Sequence, residues 1–496
     1  MTAYDKLMEL QLELKLWDTI QSISFWDQLT VMPKNSGEFR GEQNAILAKT
    51  RHKLITSSEY EDAVLKASED AQNLPENNDS KIQVKRLKET FERSKKLSSD
   101  LVSRLAKASV AGSTAWEKSK LESNTAIFLN ELENLVVLAK EKAEAYGYEK
   151  CPYDALIEDF EPEMTSEDFD TLYNPMKDEL SQLVQEAKDA KGFKEVSGVF
   201  PSPKQEKLSR ELAQELGFSF DNGAIMTSSH PFSITMGSND FRITTRYLED
   251  EPFSGFYSTA HEVGHSLYER GLVKPLFGTP LGEAATAGVH ESQSLFWENR
   301  VCRSPEFLEN WHSNITSAFE PFQSWSKSEL CRTVNRVKPD FKRVEADEST
   351  YSLHIIIRYE IEKLLFAGQL EAHEVETAWN ESYKKYLGLT VEDPKLGCLQ
   401  DVHWSEGLFG YFPSYALGHI LSAQFSETMD KDLGGLDKRI AEKDYASILS
   451  WLDKSVHSKG RKHHAKDLIK EISGENLSSS AFIKYLKKKQ ERVNMI

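Results

Sequence analysis

The 496-residue chain has few cysteines and no excess of basic residues, and each shortage argues against a class of protein. Its four cysteines are scattered and form no CxxC pair, which favours free thiols in a reducing compartment over a disulfide framework. The net charge of −18 argues against a nucleic-acid partner, because phosphate binding requires a basic surface. No run approaches about 18 uncharged apolar residues, so we expect no membrane-spanning helix.

The N-terminal segment also lacks the basic and apolar regions of a signal peptide, which predicts a cytosolic protein. Sixteen prolines and 25 glycines are modest numbers for this length, and no Pro/Gly/Ser-rich linker divides the chain. We therefore expect one helix-rich domain over residues 1–496. A helical N-terminal portion, residues 1–200, would precede a catalytic portion, residues 201–496.

Apolar residues recur at helical spacing from residue 3 to about 145, beginning with Leu7, Leu10 and Leu14. Further helices are predicted at 165–190 and 204–216. Two β-prone runs, 233–236 and 241–247, flank turn residues and predict a hairpin in a small sheet. The hairpin is either a structural element or an edge at which an extended substrate pairs.

The chemistry of the chain is concentrated in the H-E-x-x-H run from His261 to His265. Residues four apart project from one face of an α-helix, so the two imidazoles can bind one Zn²⁺. The intervening Glu262 then serves as general base in a zinc hydrolase, and the motif favours a peptidase. The alternative is a surface helix with two unrelated histidines, but the apolar residues around the motif favour a buried helix.

A catalytic zinc needs a third protein ligand, and two downstream carboxylates are candidates. Glu283 lies 18 residues after His265 and Glu291 lies 26 residues after it. Small residues before Glu291 would let its helix pack closely against the motif helix. Spacing alone does not decide between the two carboxylates.

Several ordered motifs make the chain resemble the carboxypeptidase Taq (M32) family of metallocarboxypeptidases. They are HPF at His230, DxRxT from Asp240, HExxH from His261, HESQ from His290, RxxAD from Arg343 and GxxQDxHW from Gly397. Lys342 stands where the family usually has Ile. The resemblance implies that Glu291 is the third ligand and that Glu283 is either a structural carboxylate or one that supports a ligand without touching the metal.

Arginine suits the recognition of a free α-carboxylate, because its planar guanidinium binds both oxygens. Arg343 and Arg358 are the main candidates for this contact, although Arg343 is also able to pair with Glu345 or Asp347. Arg242 is a further substrate-binding candidate, but a bracing bond to Asp240 is favoured for it.

A donor to the oxyanion of the reaction is also expected beside the metal. His403 is the first choice, with Asp401 orienting it. The resemblance adds a tyrosine of the same region, for which Tyr415 is preferred over Tyr411. The alternative for His403 is a packing role beside Trp404.

The resemblance implies a mainly α fold, a helical zincin of the gluzincin type. A small β-sheet would lie next to the zinc helix, and the N-terminal portion would roof a long substrate groove. The expected activity is zinc-dependent removal of C-terminal residues from peptides with a free C-terminus, with broad specificity. Co²⁺ is a possible substitute metal. A homodimer is also implied. An endopeptidase on the same site and a helical interaction protein with an accidental motif remain the competing hypotheses.

Overall fold

The computed structural model describes residues 2–187 and 192–496. The fold is mainly α with one small sheet, which confirms the predicted class. The helices are α1 (Ala3–Thr30), α2 (Gly37–Ile55), α3 (Ser58–Ala71), α4 (Asp79–Lys95), α5 (Ser99–Glu122), α6 (Ala126–Tyr146), α7 (Pro152–Ile157), α8 (Ser166–Ala187), α9 (Ser202–Glu215), α10 (Pro252–Gly271), α11 (Ala287–Leu295), α12 (Pro305–Ala318), α13 (Lys327–Val334), α14 (Glu348–Phe366), α15 (Val375–Tyr386), α16 (Phe412–Leu433), α17 (Leu436–Ala441), α18 (Tyr445–Ser455), α19 (Ala465–Ser473) and α20 (Ser480–Met495). The helix predicted at 165–190 corresponds to α8, and residues 188–190 lie outside the described residues.

The sheet of the described residues has three strands, β1 (Ile225–Thr227), β2 (Ser233–Gly237) and β3 (Asp240–Thr245). Their order is β1–β3–β2, and β2 is therefore an edge strand. The predicted hairpin is formed by β2 and β3, which pair antiparallel. The third strand, β1, pairs parallel with β3 and was not predicted. Three residues are too short a run for the alternation of apolar and polar residues to stand out.

Among the described residues, two separate clusters of buried apolar side chains stabilise the fold. The smaller cluster joins α1, the end of α2, α3 and α4, and it includes Leu7, Val64 and Phe91. The larger cluster begins with Leu101 in α5 and continues to Val493 in α20. The division between the two cores thus falls between α4 and α5, so only the first part of residues 1–200 has a core of its own.

Helices α10, α11 and α16 pack tightly because glycines stand where they approach one another. A Cβ on Gly264 of α10 would lie 2.6 Å from the carbonyl oxygen of Gln293 in α11. A Cβ on Gly418 of α16 would lie 2.7 Å from Cγ of Glu291, also in α11. Only glycine permits such close approach, so these three helices are held at fixed separations.

A large groove of about 1390 Å³ passes between these helices, the hairpin and the loop before α14. The N-terminal helices reach the groove region through aromatic contacts. The rings of Phe25 and Trp26 meet Phe232 edge-on at 5.6 and 5.8 Å. Among the described helices, none combines the length and apolarity needed to span a bilayer.

Candidate metal centre and groove

Three possible metal ligands converge at the centre of the groove, on α10 and α11. Nε2 of His261 lies 3.7 Å from Oε2 of Glu291, and Nε2 of His265 lies 3.5 Å from the same oxygen. The ligand atoms of these three residues all lie within 4.8 Å of one another. Within the described part of the chain, no other group of three His, Cys, Asp or Glu side chains brings its ligand atoms this close together. Donors of a tetrahedral zinc ion, each bound at about 2.0–2.2 Å, are separated by roughly 3.3 Å. The spacing therefore fits a bound metal.

The charges around the three donors also favour a cation. Burial disfavours a charged imidazole at His261, but Glu291 and Glu298 outweigh it and raise the pKa of this histidine to about 10. Burial also opposes the charge of Glu291, yet His261 and His265 lower its pKa to about 2. Carboxylates that stabilise a proton at this point also stabilise a divalent cation.

The local sequence explains how the ligands come to face one another. Helix α10 begins at Pro252, whose fixed φ suits the first position of a helix. One turn separates His261 from His265, so both rings lie on the groove face of α10. Helix α11 begins after Thr286, whose hydroxyl accepts a hydrogen bond from the Val289 amide. This cap fixes the start of the helix that carries Glu291.

Glu262 lines the same groove beside the ligands and is only 6% exposed. Burial, together with the nearby charge of Glu291, raises its pKa to about 7. Glu283 also lines the groove, but it pairs with Lys15 of α1 at 3.4 Å and Arg461 at 3.3 Å. The geometry thus groups Glu291, rather than Glu283, with the two histidines.

Arg343 lines the groove on the loop before α14 and is held by Asp401 and Tyr351. Its Nε and Nη2 atoms each lie 3.0 Å from Oδ1 of Asp401, and Nη1 donates to the Tyr351 hydroxyl at 2.8 Å. Neither Glu345 nor Asp347 is its partner in these bonds. Asp347 instead caps α14 by accepting bonds from the Ser349 and Thr350 amides.

Arg358 occupies a different position, because its side chain is fully buried behind the groove wall. It donates from Nε to Oδ2 of Asp401 at 2.7 Å and lies over the Trp379 ring. Although burial opposes ionisation, Arg358 and Arg343 hold the pKa of Asp401 well below its usual range. The geometry does not favour a substrate contact for Arg358, because no part of its side chain is exposed to the groove. Asp401 instead bridges the two arginines, with Oδ1 bonded to Arg343 and Oδ2 bonded to Arg358.

Tyr415 and His403 form a pair at another point of the wall. Nε2 of His403 lies 3.1 Å from the Tyr415 hydroxyl, and Tyr415 lines the groove whereas His403 stands behind it. Burial and the charge of Arg343 lower the pKa of His403 to about 3, so its ring is neutral. Arg242, in β3, makes two bonds of 2.8 Å to Asp240, as the bracing interpretation expects.

Two residues contact the ligand histidines in a way that was not predicted from the sequence. Oε2 of Glu298 lies 2.9 Å from Nδ1 of His261, and Nδ1 of His290 lies 2.6 Å from Nδ1 of His265. Glu298 belongs to a π-helical segment, Phe296–Cys302, that continues α11. A wider turn of this kind leaves no periodic signal in the sequence, whereas His290 was detectable as the neighbour of Glu291.

A helical fold with HExxH on one helix and a candidate glutamate ligand on another is typical of metallopeptidases. The sequence profile of the carboxypeptidase Taq (M32) metallopeptidase family matches residues 6–490, and the chain belongs to this family. It is therefore a metallocarboxypeptidase.

Comparisons with individual proteins agree with this assignment. The chain is 37% identical over 480 residues to carboxypeptidase 1 of Bacillus subtilis strain 168, covering 96% of this chain and 95% of that protein. It is 35% identical over 499 residues to thermostable carboxypeptidase 1 of Thermus thermophilus, covering 98% of each. The crystal structure of the M32 carboxypeptidase from Deinococcus radiodurans R1 superposes over 100% of both chains, with a TM-score of 0.95 and 30% identity.

Proposed function

We propose that this metallocarboxypeptidase uses Zn²⁺, held by His261, His265 and Glu291, to hydrolyse the C-terminal peptide bond of peptides with broad specificity. The observation that carries the proposal is the convergence of these three donors beside Glu262, in a groove that also contains Arg343. When bound, the metal ion lowers the pKa of its water ligand and polarises the scissile carbonyl. Co²⁺ would satisfy the same donor set.

Glu262 acts as the general base. Its carboxylate takes a proton from the attacking water while the water oxygen bonds to the carbonyl carbon. The same proton then passes to the leaving nitrogen as the carbon–nitrogen bond breaks. The buried position of Glu262 supports this role, because burial disfavours the charged carboxylate and makes proton uptake easier.

Arg343 binds the free α-carboxylate of the substrate. Asp401 and Tyr351 engage its Nε, Nη2 and Nη1 atoms, but each terminal nitrogen carries a second hydrogen. These remaining donors are free for a carboxylate, and the bonds to Asp401 hold the guanidinium rigid. Arg358 is a positioning residue for Asp401, and Arg242 stabilises the hairpin through Asp240 rather than binding substrate.

Tyr415 donates its hydroxyl hydrogen to the oxyanion that forms during attack. Burial and the neighbouring Tyr411 raise the pKa of Tyr415 well above its usual value, so the hydroxyl remains a donor. His403 orients this hydroxyl through the 3.1 Å contact between its Nε2 and the Tyr415 hydroxyl oxygen. The edge position of β2 supports pairing between this strand and an extended substrate backbone.

We also propose that helices α1–α4 roof the groove and that the chain forms a homodimer. The aromatic contacts between α1 and Phe232, together with the Lys15–Glu283 ion pair, support the roof. Sedimentation analysis tests the dimer, which a single-chain mass would contradict. A cytosolic location agrees with the four free cysteines, three of them buried.

Mass spectrometry of digestion products tests the proposed reaction. An unblocked peptide should yield a ladder that loses one residue at a time from its C-terminal end. The same peptide with a C-terminal amide should remain intact, and the E262Q variant should produce no ladder. Internal cleavage of the amidated peptide would instead indicate an endopeptidase. The absence of any metal-dependent hydrolysis would favour an interaction protein.

A further inference from the structure

A chain of hydrogen bonds leads from the metal-ligand candidate His265 to the hairpin. Nδ1 of His265 lies 2.6 Å from Nδ1 of His290, and Nε2 of His290 lies 3.0 Å from Oε1 of Glu269. The hydroxyl of Thr235 in β2 donates to Oε2 of Glu269 at 3.2 Å. These residues connect the centre of the groove to the edge strand of the sheet.

We call this chain of hydrogen bonds, formed by His265, His290, Glu269 and Thr235, the relay. Helix geometry brings its first three residues together. Glu269 lies one turn after His265 on α10, so both side chains project from one face. His290 and Glu291 are neighbours on α11, where successive side chains diverge by about 100°. Glu291 therefore faces the two Nε2 atoms of the ligand histidines, while His290 lies beside the opposite edge of the His265 ring.

A metal bound at Nε2 of His265 would fix the direction of every hydrogen bond in the relay. Nε2 of His265 faces Glu291 and must keep a lone pair to bind a metal, so Nδ1 carries the hydrogen. That hydrogen is donated to Nδ1 of His290, whose Nε2 then carries the hydrogen donated to Glu269. An ionised carboxylate only accepts, so Glu269 ends the relay and determines the tautomers of both rings.

The other ligand histidine has a different kind of support. Nδ1 of His261 lies 2.9 Å from Glu298, with no residue between them, and Arg303 pairs with the other oxygen of Glu298 at 3.1 Å. His261 is thus supported directly by a carboxylate, whereas the imidazole of His290 separates His265 from its carboxylate. The two supports are independent, so one can be altered while the other is kept.

We propose that His290, Glu269 and Thr235 are positioning residues that fix the tautomer and orientation of His265 for metal binding. This inference rests on the proposed function, because it requires a metal at His261, His265 and Glu291. Residues that orient metal ligands typically change metal affinity by about 10–100-fold when replaced. The H290N and E269Q variants should lose affinity in that range, and T235V should lose less because it removes only the last bond.

Competition with a fluorescent zinc chelator measures these affinities, and circular dichroism monitors folding. Ser238 and Glu283 provide two matched controls, because both residues line the same small cavity as Glu269 but make no hydrogen bond in the relay. S238A removes a hydroxyl near Thr235, and E283Q neutralises a carboxylate that pairs with Lys15 and Arg461. Both controls should retain wild-type metal affinity. Because the relay acts in series, the double variant H290N/E269Q should lose no more affinity than H290N alone.

The outcomes separate this inference from the proposed function. A wild-type protein that binds no metal would overturn the proposed function and the relay with it. A metal-binding wild type whose folded E269Q and T235V variants bind equally tightly would overturn the relay alone. If H290N does not fold, E269Q and T235V still decide the question. Additive losses in the double variant would contradict action in series.

Discussion

Replacing Gly418 with alanine should disturb the metal centre without changing any charged residue. A Cβ at this position would lie 2.7 Å from Cγ, 2.9 Å from Cβ and 3.2 Å from the carbonyl carbon of Glu291. Carbon atoms in contact are normally about 3.5–4.0 Å apart, so Glu291 or its helix must move by roughly 1 Å. Both the side chain and the backbone of Glu291 obstruct the methyl group, so rotating the side chain alone gives no relief.

The expected magnitude follows from two opposing contributions. Overpacking costs about 1–3 kcal/mol, whereas alanine in a helix interior gains about 1 kcal/mol over glycine. The free energy of unfolding should therefore fall by about 1 kcal/mol in G418A. Displacing a ligand by this distance should also lower kcat/KM by roughly 100-fold.

Gly41 provides a matched control, because it lies in α2 and has no atom within 4 Å of its built Cβ. G41A gains the same helix propensity without a clash, so it should be slightly more stable than wild type and equally active. Chemical denaturation and metal-saturated kinetics measure both effects. A G418A protein with the stability of G41A and undiminished activity would refute the close packing inferred between α11 and α16.

Three further predictions concern single side chains. E262Q should retain its metal while kcat falls at least about 100-fold, and near-normal turnover at full metal occupancy would contradict the general-base role. R343M should raise KM for free-acid peptides by roughly 10–100-fold, because one charge-assisted contact with the α-carboxylate is lost. The binding affinity for C-terminally amidated peptides should stay almost unchanged. Equal losses for both kinds of peptide would indicate a structural role. Burial raises the pKa of Glu362 to about 7, so its contribution to stability is full below about pH 4.5 and is lost as the pH rises through 7. The decline of unfolding free energy over that range should be smaller in E362Q by up to about 3 kcal/mol, and an identical pH profile would show that Glu362 titrates normally.

The sequence was sufficient for those features that depend on helical periodicity. The i, i+4 spacing of His261 and His265 predicted two imidazoles on one helix face, and the structure has them on α10. Two β-prone runs on either side of turn residues likewise predicted the hairpin of β2 and β3. Both features depend on residues close together in the chain, where local geometry dominates.

Contacts between distant segments could not be predicted in this way. Only Glu345 and Asp347 of its own motif were considered as pairing partners of Arg343, but its partner Asp401 lies 58 residues away. Whether an arginine lines the groove or lies behind it depends on tertiary packing, which separates Arg343 from the fully buried Arg358. The contact between His261 and Glu298 likewise arises only from the folding of the π-helical segment against α10.

Anomalous X-ray scattering at the zinc absorption edge, from crystals grown with the native metal retained, tests the central claim most directly. The account predicts one peak within about 2.0–2.2 Å of Nε2 of His261, Nε2 of His265 and a carboxylate oxygen of Glu291. A zinc-loaded, active enzyme whose only anomalous peak lies elsewhere, or is bound through Glu283 instead of Glu291, would contradict it.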